Sequence, residues 1–159
     1  MDAFLEISKN TVPIILPLHP RTKNILKQYF INIKEESGVK IIDPVGYIDM
    51  ISLEKNASVI VTDSGGIQKE AFYYKVPCVT LRDETEWVET VNSGWNTLTP
   101  PNSKKNIIEA INVSKNKKGD NSSMYGNGSA AKEIYKIINE HFHKRYNSLV
   151  NGVAILDAL

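Results

Sequence analysis

The sequence predicts an α/β fold: a parallel sheet with helices on both faces. Three observations carry that reading. Short apolar runs rich in β-branched residues alternate with amphipathic stretches, as period-2 strands alternate with period-3.6 helices. The alternation repeats in units of about 30 residues, the length of a strand–helix–strand crossover, which pairs its strands in parallel with right-handed connections. One such run, residues 58–62, passes directly through Ser64-Gly65-Gly66 into a helical pattern.

The elements are taken in chain order. Residues 1–10 read as the end of a helix leading into the first strand, as if the chain began inside a larger architecture. Residues 12–18 form that strand, interrupted by Pro13 and Pro17, and a polar helix comes next over 21–34. Val39-Lys40-Ile41-Ile42 is a second strand. Tyr47, Ile48, Ile51 and Leu53 then fall near one helical face, predicting a helix to about residue 56. The run 58–62 is the clearest strand, 67–74 a short helix, 76–81 the next strand and 86–92 a helix. Ile107, Ile108 and Ile111 share one face of a helix that Asn102 or Ser103 can cap. Residues 115–129, rich in Gly, Asn, Ser and Lys, read as a mobile loop. Ile134, Ile138 and Phe142 recur every four residues and predict a last helix over 129–144. Residues 1–144 are thus expected to form one domain, and 145–159, without a clear period, stay an unassigned tail.

Composition narrows the function classes. Hydrophobic residues at 42% and charged residues at 23% match a globular protein in water. The formal net charge is only +1, so no overall field favours nucleic acid or an anionic membrane; any bound anion needs a local site. The one cysteine, Cys78, excludes an internal disulfide and a multi-cysteine metal site, and its apolar neighbours predict a packed, inert thiol. No apolar run reaches the ~20 residues of a membrane span, and the first residues lack a basic-then-apolar signal. The expected compartment is the cytoplasm.

In open parallel sheets, ligands bind beyond the carboxyl ends of the strands. The four predicted strands lead, in turn, into His19-Pro20-Arg21, Asp43-Pro44-Val45-Gly46, Thr62-Asp63-Ser64-Gly65-Gly66 and Arg82-Asp83-Glu84-Thr85-Glu86. All four clusters are expected to face one crevice. In the third, two glycines allow a tight turn and leave the N–H groups of a starting helix uncovered, a ready place for phosphate. The competing reading is that Asp63 or Ser64 merely caps the helix. Glu70, one turn in, can accept hydrogen bonds from vicinal hydroxyls, or be a solvated helix glutamate. His19 can donate to a phosphate or exchange a proton with a sugar, or serve as a cap bonded to local backbone. Arg21 and Arg82 are candidate diphosphate clamps, or partners of nearby carboxylates such as Asp83 and Glu84. Trp87 and Trp95 read as core or lid residues, and His141 and His143 as solvated. No cluster has metal-ligand spacing, and no cofactor is expected beyond a substrate nucleotide.

These motifs, in this order and spacing, resemble the non-hydrolysing UDP-N-acetylglucosamine 2-epimerases: His19-Pro20-Arg21, the Asp43-Pro44-x-Gly46-Tyr47 turn, the Thr62 to Glu70 segment, and Arg82-Asp83-Glu84-Thr85-Glu86-Trp87-Val88-Glu89. Tyr125-Gly126-Asn127-Gly128-Ser129-Ala130-Ala131 is similar to the family's turn before its last helix. The resemblance covers residues 12–142 and implies a Rossmann-like C-terminal domain of a GT-B-type two-domain enzyme, whose N-terminal domain is the expected partner. It implies that Ser64, Gly65 and Gly66 hold the diphosphate and that Glu70 binds the ribose. Arg82, with Glu86 and Arg21, would contact the substrate, Gly46 to Met50 the uracil, and His19 the reacting sugar. The family inverts C2 by eliminating and re-adding UDP, using acidic residues of the first domain. The isolated chain is therefore expected to bind a UDP-sugar without turning it over. Lys69 stands where many members have glutamate. The Glu-Thr-Glu-Trp-Val-Glu form resembles a branch acting on UDP-diacetamido-uronic acids. A glycosyltransferase donor domain and a stand-alone UDP-sugar-binding module are the alternatives, and a second copy of the chain is a further candidate partner.

Overall fold

The computed structural model describes residues 2–10, 13–29, 38–120 and 123–156. Twelve elements alternate along them: α1 (Asp2–Asn10), β1 (Ile14–Pro17), α2 (Pro20–Gln28), β2 (Val39–Ile42), α3 (Tyr47–Lys55), β3 (Ile60–Thr62), α4 (Gly65–Tyr74), β4 (Cys78–Thr80), α5 (Val88–Asn92), β5 (Asn96–Leu98), α6 (Lys104–Ser114) and α7 (Ala130–Leu156). The α/β class and the element order are those the sequence predicts. The expected second half of α2 falls partly on residues 30–37, outside the described residues. The short β5 went unassigned: Asn-Thr-Leu between Gly94 and Pro100-Pro101 offers no β-branched run to signal a strand. The last helix continues from the predicted stretch through Leu156.

All pairings are parallel, with β1 against β2 and β3–β4–β5 as a second group. The parallel strands thus fall into two hydrogen-bonded groups among the described residues. Ile14 and Leu18 donate to Gly38 and Ile42 on the β2 side, so residues 13, 15 and 17 face the other edge. Two of those three are prolines, which have no N–H to donate. The two groups meet instead through side chains, Ile14 packing into the same cluster as Val59, Val61 and Val79.

The strands of the larger group are buried on both faces, and their alternation sorts the core. Val61 and Val79 join Ala3 and Ile7 of α1 and Ile107 and Ile111 of α6. Ile60 and Cys78 point the opposite way, to Ala71 of α4 and Val76. Helices thus cover both faces. Cys78 is 1% exposed, and burial pushes its thiol up to about 12, so it packs as an inert apolar group. Ser103 caps α6, its hydroxyl accepting from the Asn106 N–H at 3.3 Å. Residues 1–121 form one compact unit, and 122–159, with α7 entered through turns at Gly126 and Gly128, a second. No helix among the described residues is long and apolar enough to cross a membrane.

Ile111 is 3% exposed at the centre of the α1/α6 layer. Ile111→Ala should destabilise the chain by about 2–5 kcal/mol in urea unfolding; a loss below about 1 kcal/mol would contradict this packing.

Candidate functional site

The first candidate cluster lies where β3 becomes α4. Only Asp63 and Ser64 separate Thr62, the last strand residue, from Gly65, the first helical one. The Ser64 N–H is tied back to the Thr62 hydroxyl at 3.0 Å, while its own side chain makes no cap hydrogen bond. The first helical bond runs from the Gln68 N–H to the Ser64 carbonyl. The N–H groups of Gly65, Gly66 and Ile67 therefore have no intrahelical acceptor and point out of the positive end of the helix. Of the two readings open from sequence, side-chain capping is not the one observed.

The two glycines differ. A Cβ on Gly65 would collide with the Glu86 carboxylate and lie 2.9 Å from Trp87 Nε1, so a side chain there would push those two side-chain ends away. A Cβ on Gly66 would meet nothing nearer than Ser64 Oγ at 3.8 Å. Gly65 thus lets the loop after β4 close against the helix start, and Gly66 leaves open space in front of it.

That loop brings Arg82 and Glu86 together in a 3.0 Å ion pair. The carboxylate partner of Arg82 is Glu86 rather than Asp83 or Glu84. A hydrogen bond from its own backbone N–H, opposed by partial burial and helped by Arg82, holds the Glu86 carboxyl below the usual range. One guanidinium nitrogen is engaged, which leaves further donors of the fork for an anion. Lys69 stacks over the Trp87 ring at 4.1 Å, covering the loop from the α4 side.

Beneath the loop runs a buried polar network that motif reading missed. Gln68 Oε1 accepts from the Thr85 hydroxyl at 2.6 Å and from Asn96 Nδ2 at 3.1 Å. Asn96 also donates to the Thr90 hydroxyl and accepts from the Thr80 hydroxyl, and Thr85 accepts from the Trp87 N–H. Gln68, Thr80 and Thr90 are all 0% exposed. The network ties α4, the 82–87 loop, α5 and β5 into one body, which fixes Arg82 and Glu86 relative to the helix start. Its signal in the sequence was a glutamine three and four residues before the apolar Ala71 and Phe72, on a buried helix face.

His19 occupies the N-cap of α2, and its Nδ1 accepts from the Arg21 N–H at 3.2 Å. The capping reading of His19 is the observed one, and it is compatible with a functional role. With Nδ1 accepting, the proton of the neutral ring sits on Nε2, facing away from the cap. Lys23 of α2 reaches Asp43 at 3.1 Å, joining that helix to the turn after β2. Gly46 is the N-cap of α3, without a side-chain cap bond, and Met50 lies one turn further, half-buried. Direct contacts thus gather the residues into two groups, Gly65 with Arg82 and Glu86 in one, His19 with Arg21 in the other.

Glu70, one turn into α4, faces a residue that sequence reading passed over. Glu54 of α3 is 3% exposed, and burial first, then the neighbouring Glu70 carboxylate, raise its carboxyl to about 7. The available signal was its place, three and four residues after Ile51 and Met50, on the inward face of α3.

The sequence profile described as UDP-N-acetylglucosamine 2-epimerase matches residues 1–139. This chain belongs to that family. It is 47% identical over 140 residues to a UDP-N-acetylglucosamine 2-epimerase homolog of Methanococcus maripaludis, covering 87% of this chain and 38% of the relative. It is 42% identical over 135 residues to a UDP-2,3-diacetamido-2,3-dideoxy-D-glucuronate 2-epimerase of Pseudomonas aeruginosa, over 84% and 37% of the two chains. The Methanocaldococcus jannaschii UDP-GlcNAc 2-epimerase, solved in complex with UDP-GlcNAc and UDP, superimposes with a TM-score of 0.78 at 43% identity, over 87% and 39%. The chain therefore spans less than two fifths of these relatives and corresponds to the C-terminal domain of the GT-B-type epimerases.

Gly65→Ala should open the Arg82–Glu86 contact and cost about 1–3 kcal/mol, whereas Gly66→Ala should be neutral or stabilising by up to about 1 kcal/mol. Thermal unfolding of the two variants checks this, and equal effects would contradict the distinction. For Glu54, the folded protein binds the proton more tightly than the unfolded chain. Its contribution is present below its ordinary value of 4.5 and is lost as pH rises through about 7. Glu54→Gln should therefore gain stability relative to wild type between about pH 4.5 and about pH 7 and level off above. Urea unfolding across that range tests the sign; a difference independent of pH would refute it.

Proposed function

We propose that this chain is the UDP-sugar-binding domain of a 2-epimerase acting on a UDP-N-acetylglucosamine-type sugar. The observation that carries the reading is the uncapped start of α4, with Arg82 held beside it, in a chain of this family. The N–H groups of Gly65, Gly66 and Ile67 and the Ser64 hydroxyl would take the diphosphate, with Arg82 neutralising its charge. Glu86 positions the guanidinium and lines the same edge. Glu70 would accept from the ribose hydroxyls, and the Gly46 to Met50 turn would border the uracil. Arg21 would add a second cation at the sugar side, and His19, its Nε2–H free of the cap, would stand near the glycosidic oxygen.

In this reading, the reaction eliminates UDP to a glycal and re-adds it after the sugar has presented its other face. The domain's contribution is electrostatic. Donors already oriented at the helix start stabilise the negative charge that gathers on the departing diphosphate, without reorganising at the moment of bond breaking. Removal of the C2 proton would fall to acidic groups of an N-terminal domain, so this chain would bind its ligand without turnover. The relatives' names, UDP-N-acetylglucosamine and a UDP-diacetamido-glucuronate, share the nucleotide and the 2-epimerisation. That supports the UDP assignment more strongly than any one sugar.

Calorimetric titration with UDP, UMP and uridine tests the assignment. UDP should bind at least about tenfold more tightly than uridine, the effect of one charge-assisted phosphate contact. Ser64→Ala and Gly66→Val should each weaken UDP binding about tenfold or more, with circular dichroism unchanged. Binding that survives both substitutions would remove the phosphate from the α4 start.

A further inference from the structure

Glu54 is not accounted for by the site as described. Its carboxyl is interior, and neither oxygen meets a hydrogen-bond donor among the described residues. Among the described residues, the titratable groups that interact with it are Glu70 and Tyr74 from α4 and Cys78 from β4, none of them a cation. Lys55, the next residue of α3, lies instead over the Tyr74 ring at 4.9 Å. Two carboxyl groups that face each other without a cation can hydrogen-bond only if one keeps its proton. The more buried member keeps it, because burial penalises its charged form most. Glu54 is buried, and Glu70 is partly exposed.

We infer that Glu54 is a positioning residue for the nucleotide: as a neutral acid it donates a hydrogen bond to Glu70 and so holds the Glu70 carboxylate toward the ribose hydroxyls. The inference rests on the assignment of Glu70 to the ribose. A carboxylate has about four acceptor positions, so one can receive the Glu54 proton while others face two vicinal hydroxyls. When Glu54 ionises, near pH 7, the donor becomes a second negative charge. Glu70 is then repelled from α3, and the ribose loses its fixed acceptor. Affinity for the nucleotide should fall as pH rises through that point. The same helix carries the Gly46 to Met50 turn at its other end, so the α3–α4 seam would couple uracil and ribose contacts.

The test uses UDP-N-acetylglucosamine, whose diphosphate diester has no ionisation near neutrality, titrated calorimetrically into the 159-residue chain. Wild type, Glu54→Gln and Glu54→Leu are compared at about pH 6 and about pH 8.5, either side of the Glu54 transition. His19 is present in all three, so its contribution is common to the comparison. Wild type should lose about three- to tenfold in affinity at the higher pH, the effect of one hydrogen bond. Glu54→Gln, with a permanent neutral donor, should keep the low-pH affinity at both, and Glu54→Leu should bind weakly at both. Carbon-13 NMR of the Glu54 carboxyl in the free protein should show titration near neutrality in wild type and a lower midpoint in Glu70→Gln. A wild type that binds but responds to pH as Glu54→Gln does, or a Glu54 carboxyl titrating in the ordinary range, overturns the role of Glu54 alone. Absence of binding by wild type at both pH values overturns the nucleotide assignment, and this role with it, even where the carboxyl pair titrates as expected.

Discussion

The two-residue passage from β3 into α4 is the constraint on which the remaining structure depends. Because only Asp63 and Ser64 intervene, the positive end of a ten-residue helix is fixed to the sheet. Ser64 commits its N–H to Thr62 and leaves its hydroxyl free of the helix. Such an end is unstable alone, with N–H groups that the helix's own carbonyls do not reach. The surroundings compensate by rigidity. Gln68, one turn below, anchors the helix through Thr85 and Asn96, and the same bonds hold the loop that carries Arg82. The helix start is therefore backed by a buried polar network, so that in the proposed reading an arriving anion would meet groups that need not move.

Charge around this turn is arranged locally. With a net charge of +1, the chain as a whole attracts no anion. Arg82 supplies the cation, and Glu86 fixes where it stands. An exposed pair of this kind adds little to stability, so its consequence is orientation. One turn into α4, Glu70 meets Glu54 of α3, and among the described residues no cation is seen to answer that pair of acids. Desolvation outweighs charge there, and Glu54 stays neutral at a pH where exposed glutamates are ionised. One helix thus joins the N–H groups of its start, where the diphosphate is proposed to lie, to a pair of carboxyls one turn later.

Much of this was legible in the sequence, for physical reasons particular to each element. Val39-Lys40-Ile41-Ile42 and the 58–62 run are β-branched, and β2 and β3 lie within them. The Ser64-Gly65-Gly66 turn was legible because two glycines between a strand and a helix mark a tight turn, and at Gly65 the Glu86 and Trp87 side chains do close against it. Ser103 was one of two named caps, and it caps α6. What escaped depended on long-range contact. Asn96-Thr97-Leu98 is a strand because β4 pairs with it, not because its residues favour one. The break between β1 and β3 arises from which edge Pro13 and Pro17 face, a matter of register. Glu54 and Gln68 lie on buried helix faces, where a polar residue in an apolar stripe was the available mark; their partners, Glu70 on another helix and Asn96 28 residues on, are set by the fold.

The central claim is that the start of α4 receives the diphosphate. The most direct measurement is a nitrogen-15 NMR titration that follows the backbone amides of Gly65, Gly66 and Ile67 as UDP, and separately uridine, is added to the chain. The account predicts that all three amides move on addition of UDP and stay in place on addition of uridine. Movement of Met50 and Glu70 with UDP while Gly65, Gly66 and Ile67 remain unmoved would contradict it, since the nucleotide would then bind without its phosphates at the helix start.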